Sequence, residues 1–395
     1  MTRTERDYYV VLSLYHFSWS FLGPLYALFL LSRGLDLLEI SIVLAAYMIT
    51  SFVFEVPTGA VADVFGRKVS FIASCAVRSV AFLGYAFADG FREFLIFEVI
   101  DAIGATLATG ALDAWAVDGV RREGDRRPAD RLFARGQMLS RTLMIVSGLV
   151  AGYVAEYGIG LVWFVGSAMF FVTGTVGAVL MTSDRPETDL GLFESLRARP
   201  SVLATLRDGW QDVRTNPVLL ALCGLTAATA FAYMPATHYW QPRLQNLSGQ
   251  TFSALGWMWA AFNLAAVAGA AAVPYLERFG RAPVLAATAL LRAVLLAVAA
   301  VVTTFVPAFA GVLVFELGFS LSEPVFMAWV NEQATAERRA TVLSWRQMAF
   351  TLGAAIGLAA IGTLARETTI STAWLASALV LASTCPLFVW LGRRV

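Results

Sequence analysis

A single constant shift brings two distant parts of this chain into register. Phe65-Gly66-Arg67 recurs 214 positions later as Phe279-Gly280-Arg281, and Asp63 falls on Glu277. The same shift carries Arg78 onto Arg292, Gly104 onto Gly318, Ala114-Trp115 onto Ala328-Trp329 and Asp118 onto Glu332. Charged residues, Trp and Gly in matching apolar surroundings rarely coincide under one offset. The chain therefore reads as one structural unit present twice.

That unit belongs in a membrane. The hydrophobic fraction is 58% and the mean hydropathy +0.68, against about 45–50% apolar residues for a soluble domain. A spanning helix needs about 20 mostly apolar residues. Twelve segments meet that length: 8–31, 40–62, 69–88, 94–118, 132–156 and 159–181, then 217–241, 252–276, 283–304, 307–332, 340–364 and 370–391. The first is too long for a signal core and has no small-residue cleavage site. The expected fold is an all-α integral membrane protein with twelve transmembrane helices in two pseudo-symmetric six-helix bundles. Residues 1–181 form the first bundle, 182–216 a cytoplasmic central loop and 217–395 the second.

Cations orient the spans. Of the 29 Lys plus Arg, 21 lie in or at the edge of the terminal and even-side gaps (Arg135 within the first turn of its span) and 4 in the opposite gaps, with Arg78, Arg141, Arg292 and Arg346 deeper inside spans. This asymmetry places both termini in the cytoplasm of a multi-pass plasma-membrane protein. The net charge of +1 suggests no nucleic-acid partner. Two His and the isolated Cys75, Cys223 and Cys385 form no metal pattern. No Walker-type loop or nucleophile elbow is present, so no cofactor and no enzymatic activity are expected.

Residues 59–68 read GAVADVFGRK in the short polar gap after the second span. Glycines permit a tight turn there, and a carboxylate with two cations can form a latch at the membrane surface. On these residues the chain resembles the major facilitator superfamily, whose loop motif between helices two and three matches Gly59, Asp63, Gly66, Arg67 and Lys68. The resemblance implies that helices one, four, seven and ten line a cavity opening to each side in turn. It also implies a cytoplasmic gate in which Asp63 and Arg67 latch onto Asp118, mirrored by Glu277, Arg281 and Glu332. Drug/proton antiporters of that family usually carry an Arg early in helix four and a Gly-Pro step in helix five. This chain has Glu98 and Asp101 in the one place and Gly148-x-x-x-Gly152 in the other.

Charges within spans are costly, about 2.5–3.5 kcal/mol on insertion scales at a helix centre. The intramembrane acids are Glu55, Glu98, Asp101, Asp113, Glu316 and Glu323. Glu98 and Asp101 share a helix face, as do Glu316 and Glu323. Two close carboxyls in low dielectric provide a route to proton coupling; alternatively, each acid neutralises an Arg and holds helices together. Arg78 and Arg292, at equivalent places, suit a structural role. Arg141 and Arg346 are expected to pair with helix-four and helix-ten acids. Candidate cavity residues are Tyr15, His16, Trp19, Tyr233, His238, Arg346 and Gln347, while Trp240 suits an interfacial belt.

The function expected is secondary active transport of a small organic molecule, with proton-coupled export of a lipophilic or cationic compound favoured. The alternatives are metabolite uptake or facilitated diffusion and, from another class, a non-transporting receptor or scaffold. The expected partners are substrate, protons and the lipid bilayer, with the protein acting as a monomer.

Overall fold

The computed structural model describes residues 1–124, 129–183, 191–192, 194, 210, 214–249, 251–333 and 339–394, except the side chains of residues 130, 248, 277 and 340. Most of the expected central loop, 182–216, lies outside the described residues, as does the side chain of Glu277. Among the described residues the secondary structure is helical throughout, with no strand.

The first half contains α1 (Arg3–Ser20), α2 (Tyr26–Ser32), α3 (Leu37–Phe65), α4 (Arg67–Phe87), α5 (Phe91–Ala108), α6 (Ala111–Arg122), α7 (Asp130–Ala155) and α8 (Leu161–Leu180). The second contains α9 (Pro217–Ser248), α10 (Phe252–Leu276), α11 (Arg281–Val301), α12 (Phe305–Gln333), α13 (Arg339–Glu367) and α14 (Ile370–Gly392).

Among the described residues, eleven stretches are long and apolar enough to cross a membrane, with α5 and α6 counted as one. The expected first span, 8–31, is not one continuous helix. It divides into α1 and α2 at Phe21–Leu25, where Pro24 lacks an N–H and its ring clashes with the preceding turn. A further break, unforeseen from sequence, separates α5 from α6 at Thr109-Gly110, where Gly110 takes φ +72°.

Local signals start several helices. Asp36 and Glu39 cap α3 reciprocally: the Glu39 N–H donates to Asp36 Oδ1 at 2.8 Å and the Asp36 N–H to Glu39 Oε2 at 3.0 Å. Asn216 accepts from the N–H groups of Val218 and Leu219, with Pro217 at the first helical position.

Contacts divide the chain into two compact units. One comprises Met1–Phe29, Thr50–Ser201 and Phe252–Ala260; the other comprises Leu30–Ile49, Val202–Thr251 and Ala261–Val395. In the first, Phe71, Trp115 and Leu112 share a core with α1 residues Tyr8 and Val11. In the second, Leu285, Trp329 and Phe326 share one with Leu222 and Leu225 of α9. Phe71 and Leu285, and Trp115 and Trp329, are repeat equivalents. Trp240 is 1% exposed and packs edge-on against Phe262 at 4.9 Å. It is a core residue rather than the belt residue expected, because the Phe262 ring covers it.

Candidate functional site

The charged surface motif is built the same way in each unit. Gly66 and Gly280 precede α4 and α11 with φ of +90° and +78°, a region that L side chains rarely adopt. Each glycine turns the chain so that the next residue, Arg67 or Arg281, begins a helix with its guanidinium at the surface. Arg67 binds Asp118 of α6, and Arg281 binds Glu332 at the end of α12 through two nitrogens. Gly59 lies inside α3, and Asp63 and Lys68 flank the turn, partly buried.

Deeper in each unit lies the second repeated arginine. Arg78, 2% exposed, donates from Nε and Nη2 to the two oxygens of Asp101 at 2.8 and 3.0 Å, and from Nη1 to the Tyr15 hydroxyl at 3.0 Å. Its guanidinium also lies 4.5 Å from the Phe170 ring centroid. The close approach of α5 depends on Gly104, where a Cβ would stand 2.7 Å from Arg78 Cγ. In the other unit a Cβ on Gly318 would stand 2.7 Å from Arg292 Cγ. Arg292 is also 2% exposed and is surrounded by the rings of Phe315, Phe319 and Tyr233 at 4.9, 5.1 and 5.6 Å.

The intramembrane acids sort by partner. Asp101 and Glu323 are ion-paired, to Arg78 and Arg346 respectively. Glu98 is buried and accepts from the Tyr85 hydroxyl, which lies 3.1 Å from that of Tyr26. Glu316 is partly buried and accepts from Tyr233 at 3.1 Å and Thr237 at 2.9 Å. Among the described residues, neither Glu98 nor Glu316 has an ion-pair partner. Asp113 is exposed and accepts from Tyr8 at 2.8 Å, and Glu55 is exposed. Arg141, expected to meet a helix-four acid, is exposed on α7, and Arg78 takes that acid instead.

The remaining candidates are scattered. His238 Nδ1 lies 2.8 Å from the Met234 carbonyl oxygen in its own helix. His16 Nδ1 is buried without a hydrogen-bond partner among the described residues. Trp19 is 41% exposed, and Gln347 is exposed. Tyr85, Tyr26 and Thr237, the hydroxyl partners of the two unpaired acids, were not singled out from sequence; their signal is a hydroxyl within an apolar span beside an acid on a neighbouring helix.

A small cavity of about 30 Å³ opens within the second unit, lined by Arg292, Glu323 and Arg346 together with Thr226, Thr229 and Phe319. No group of three or more His, Cys, Asp or Glu suited to a metal occurs among the described residues.

A family model described as Major Facilitator Superfamily matches residues 8–251 and 240–395. An uncharacterized MFS-type transporter, YxaM of Bacillus subtilis (strain 168), is 25% identical over 242 residues, covering 60% of this chain and 58% of that relative. The chain thus spans less than two thirds of that relative's length. The crystal structure of a point mutant of the nucleoside transporter NupG superposes with a TM-score of 0.85 at 13% identity, covering 98% of this chain and 99% of that one. An auto-inhibited peptide transporter of the POT family superposes with a TM-score of 0.76 at 14% identity, covering 100% and 97%. At these identities the structural likeness concerns the fold.

Proposed function

The chain belongs to the major facilitator superfamily, and from that premise we propose that its transport is coupled to protons through Glu98 and Glu316. It is a multi-pass membrane protein and a secondary transporter rather than an enzyme.

The observation that carries the proposal is the pair of acids, one in each unit, held by hydroxyls and, among the described residues, without an ion-pair partner. An unbalanced charge is expensive inside a bilayer, so such a carboxyl is suited to take up and release a proton as its surroundings open to water. Asp101 and Glu323 already have arginine partners, which favours a structural role for both. The Arg67–Asp118 and Arg281–Glu332 pairs serve as the gate, with Gly59, Asp63, Gly66 and Lys68 shaping the first and Glu277 flanking the second. The cation asymmetry supports a cytoplasmic position for this gate and for both termini, and the protein is proposed to work as a monomer.

The cargo is a small organic molecule with a flat or lipophilic body. Tyr233 stacks on Phe319 at 3.8 Å and 8°, with Phe315 at 5.8 Å, giving an extended aromatic wall. Arg292 lies against the same wall and disfavours the cationic cargo expected from sequence. Export in exchange for entering protons is the proposed direction. Uptake is the second reading, because a carboxyl that binds and releases a proton can drive cargo in either direction.

The test uses proteoliposomes with an imposed pH gradient and a panel of aromatic acids, nucleosides and dipeptides. Gradient-driven accumulation of one compound, abolished in Glu98→Gln or Glu316→Gln while counterflow exchange persists, is the expected result. Its direction relative to the gradient separates export from uptake. Accumulation that ignores the gradient, or survives both substitutions, refutes the coupling role.

A further inference from the structure

The two copies of the repeat diverge around their shared arginine. In the first unit Nε and Nη2 of Arg78 are taken by Asp101. In the second the same two nitrogens of Arg292 are buried and have no hydrogen-bond partner among the described residues. The sequence explains the difference. The repeat position of Asp101 is Phe315, which removes the acceptor, and that of Tyr15 is Thr229, which opens space. The space is the cavity of about 30 Å³.

Arg346 lines the same cavity. Its Nη2 binds Glu323, and its Nε is buried with no hydrogen-bond partner among the described residues. The cavity wall therefore holds two guanidinium groups and one carboxylate. Glu316 interacts with Arg292 through space, but its oxygens accept from Tyr233 and Thr237 and supply no acceptor to the idle N–H groups. The hydroxyls of Thr226 and Thr288 donate to backbone carbonyls in their own helices, whereas that of Thr229 has no partner among the described residues. Water can satisfy idle N–H groups, but an anion does so with charge-assisted bonds that are shorter and stronger. One water needs roughly 10–15 Å³ of such volume, so the cavity suits a carboxylate-sized group rather than a whole molecule. Glu323, with 38% of its side chain exposed, marks the open side through which the rest of a ligand extends.

We propose that Arg292, with Arg346 and Thr229, forms an anion-recognition site for a carboxylate borne by the transported molecule. That the ligand is the cargo rests on the function proposed above; the binding site itself does not.

The experiment titrates the purified full-length protein in detergent with benzoate, with its uncharged isostere benzamide and with inorganic phosphate. It reads the thermal midpoint and the Kd. Benzoate is expected to raise the midpoint and benzamide to leave it unchanged. Arg292→Gln is expected to weaken benzoate about ten- to a hundredfold, the range for a lost hydrogen bond to a charged group. Arg141→Gln, on an exposed residue, keeps the wild-type response. Equal effects of benzoate and benzamide, phosphate acting where benzoate does not, or undiminished benzoate binding in Arg292→Gln each overturn the proposal.

Phe315→Asp tests it without removing the arginine. It restores the acid at the repeat position and is expected to raise the midpoint unaided while abolishing the benzoate response. A retained response overturns the site. Binding in detergent needs no proton gradient, so loss of gradient-driven accumulation with an intact benzoate shift counts against coupling alone. Loss of the shift with intact accumulation counts against this site alone.

Discussion

Asp101→Asn separates a frame residue from a proton carrier. The substitution keeps the shape of the side chain, removes its charge and leaves one acceptor for two donors now bound at 2.8 and 3.0 Å. Breaking a buried ion pair by changing one partner typically costs about 3–5 kcal/mol. The lower end applies here, because the rings of Phe170, Tyr15 and Phe82 remain at 4.5, 5.6 and 5.8 Å from the guanidinium. A loss of about 3 kcal/mol lowers the thermal midpoint of a cooperative unit of about 150–250 residues by roughly 6–12 °C. The assay is thermal unfolding of the purified protein in detergent, paired with gradient-driven transport of the same preparation. Arg78→Met combined with Asp101→Leu is expected to recover most of the midpoint, since an apolar replacement of a whole buried pair is often neutral. An Asp101→Asn midpoint within about 2 °C of wild type, with coupling lost, refutes this reasoning and makes Asp101 a proton site.

The surface pairs behave differently. Arg67→Ala or Asp118→Ala is expected to reduce flux at least tenfold while costing under about 1 kcal/mol, because half-exposed pairs contribute little to stability; normal flux in either variant removes the gating role. On α13, Gly353 and Gly357 lie directly against the backbone of Ala227 and Phe231 of α9. Gly357→Ala is therefore expected to cost about 1–3 kcal/mol through overpacking, read as a fall in thermal midpoint. Gly224→Ala, where a Cβ meets nothing within 4 Å, is expected to leave the midpoint unchanged or slightly raised.

The repeat offset and the apolar lengths carried much of the helix pattern in advance, because a helix crossing lipid has few lengths available to it. The break in the first span has a marker in the sequence, Pro24, which lacks the N–H a continuous helix would use. The break before Gly110 carried no such marker. Partner choice was harder to read. Lipid and protein interior are equally apolar, so the sequence of a span does not show which face meets another helix. Trp240 was misplaced for that reason, and Arg78 rather than Arg141 took Asp101. The residues at 98, 101, 315 and 316 were all visible, yet the contrast between Asp101 and Phe315 gained meaning only when Gly104 and Gly318 were seen pressing on equivalent arginines.

Dissolved salt divides the arginine pairs of this protein into two populations. Arg67–Asp118 and Arg281–Glu332 have substantial solvent contact, and mobile ions screen exposed charges over about 8 Å at physiological ionic strength and about 3 Å at 1 M. Arg78–Asp101 is sealed from those ions. Electrolyte concentration is therefore a selective dial. It weakens the outer pairs of both units together and leaves the inner frame taut, so the ionic composition of the bathing fluid bears on how firmly α4 is held to α6 and α11 to α12 without loosening the fold that carries them.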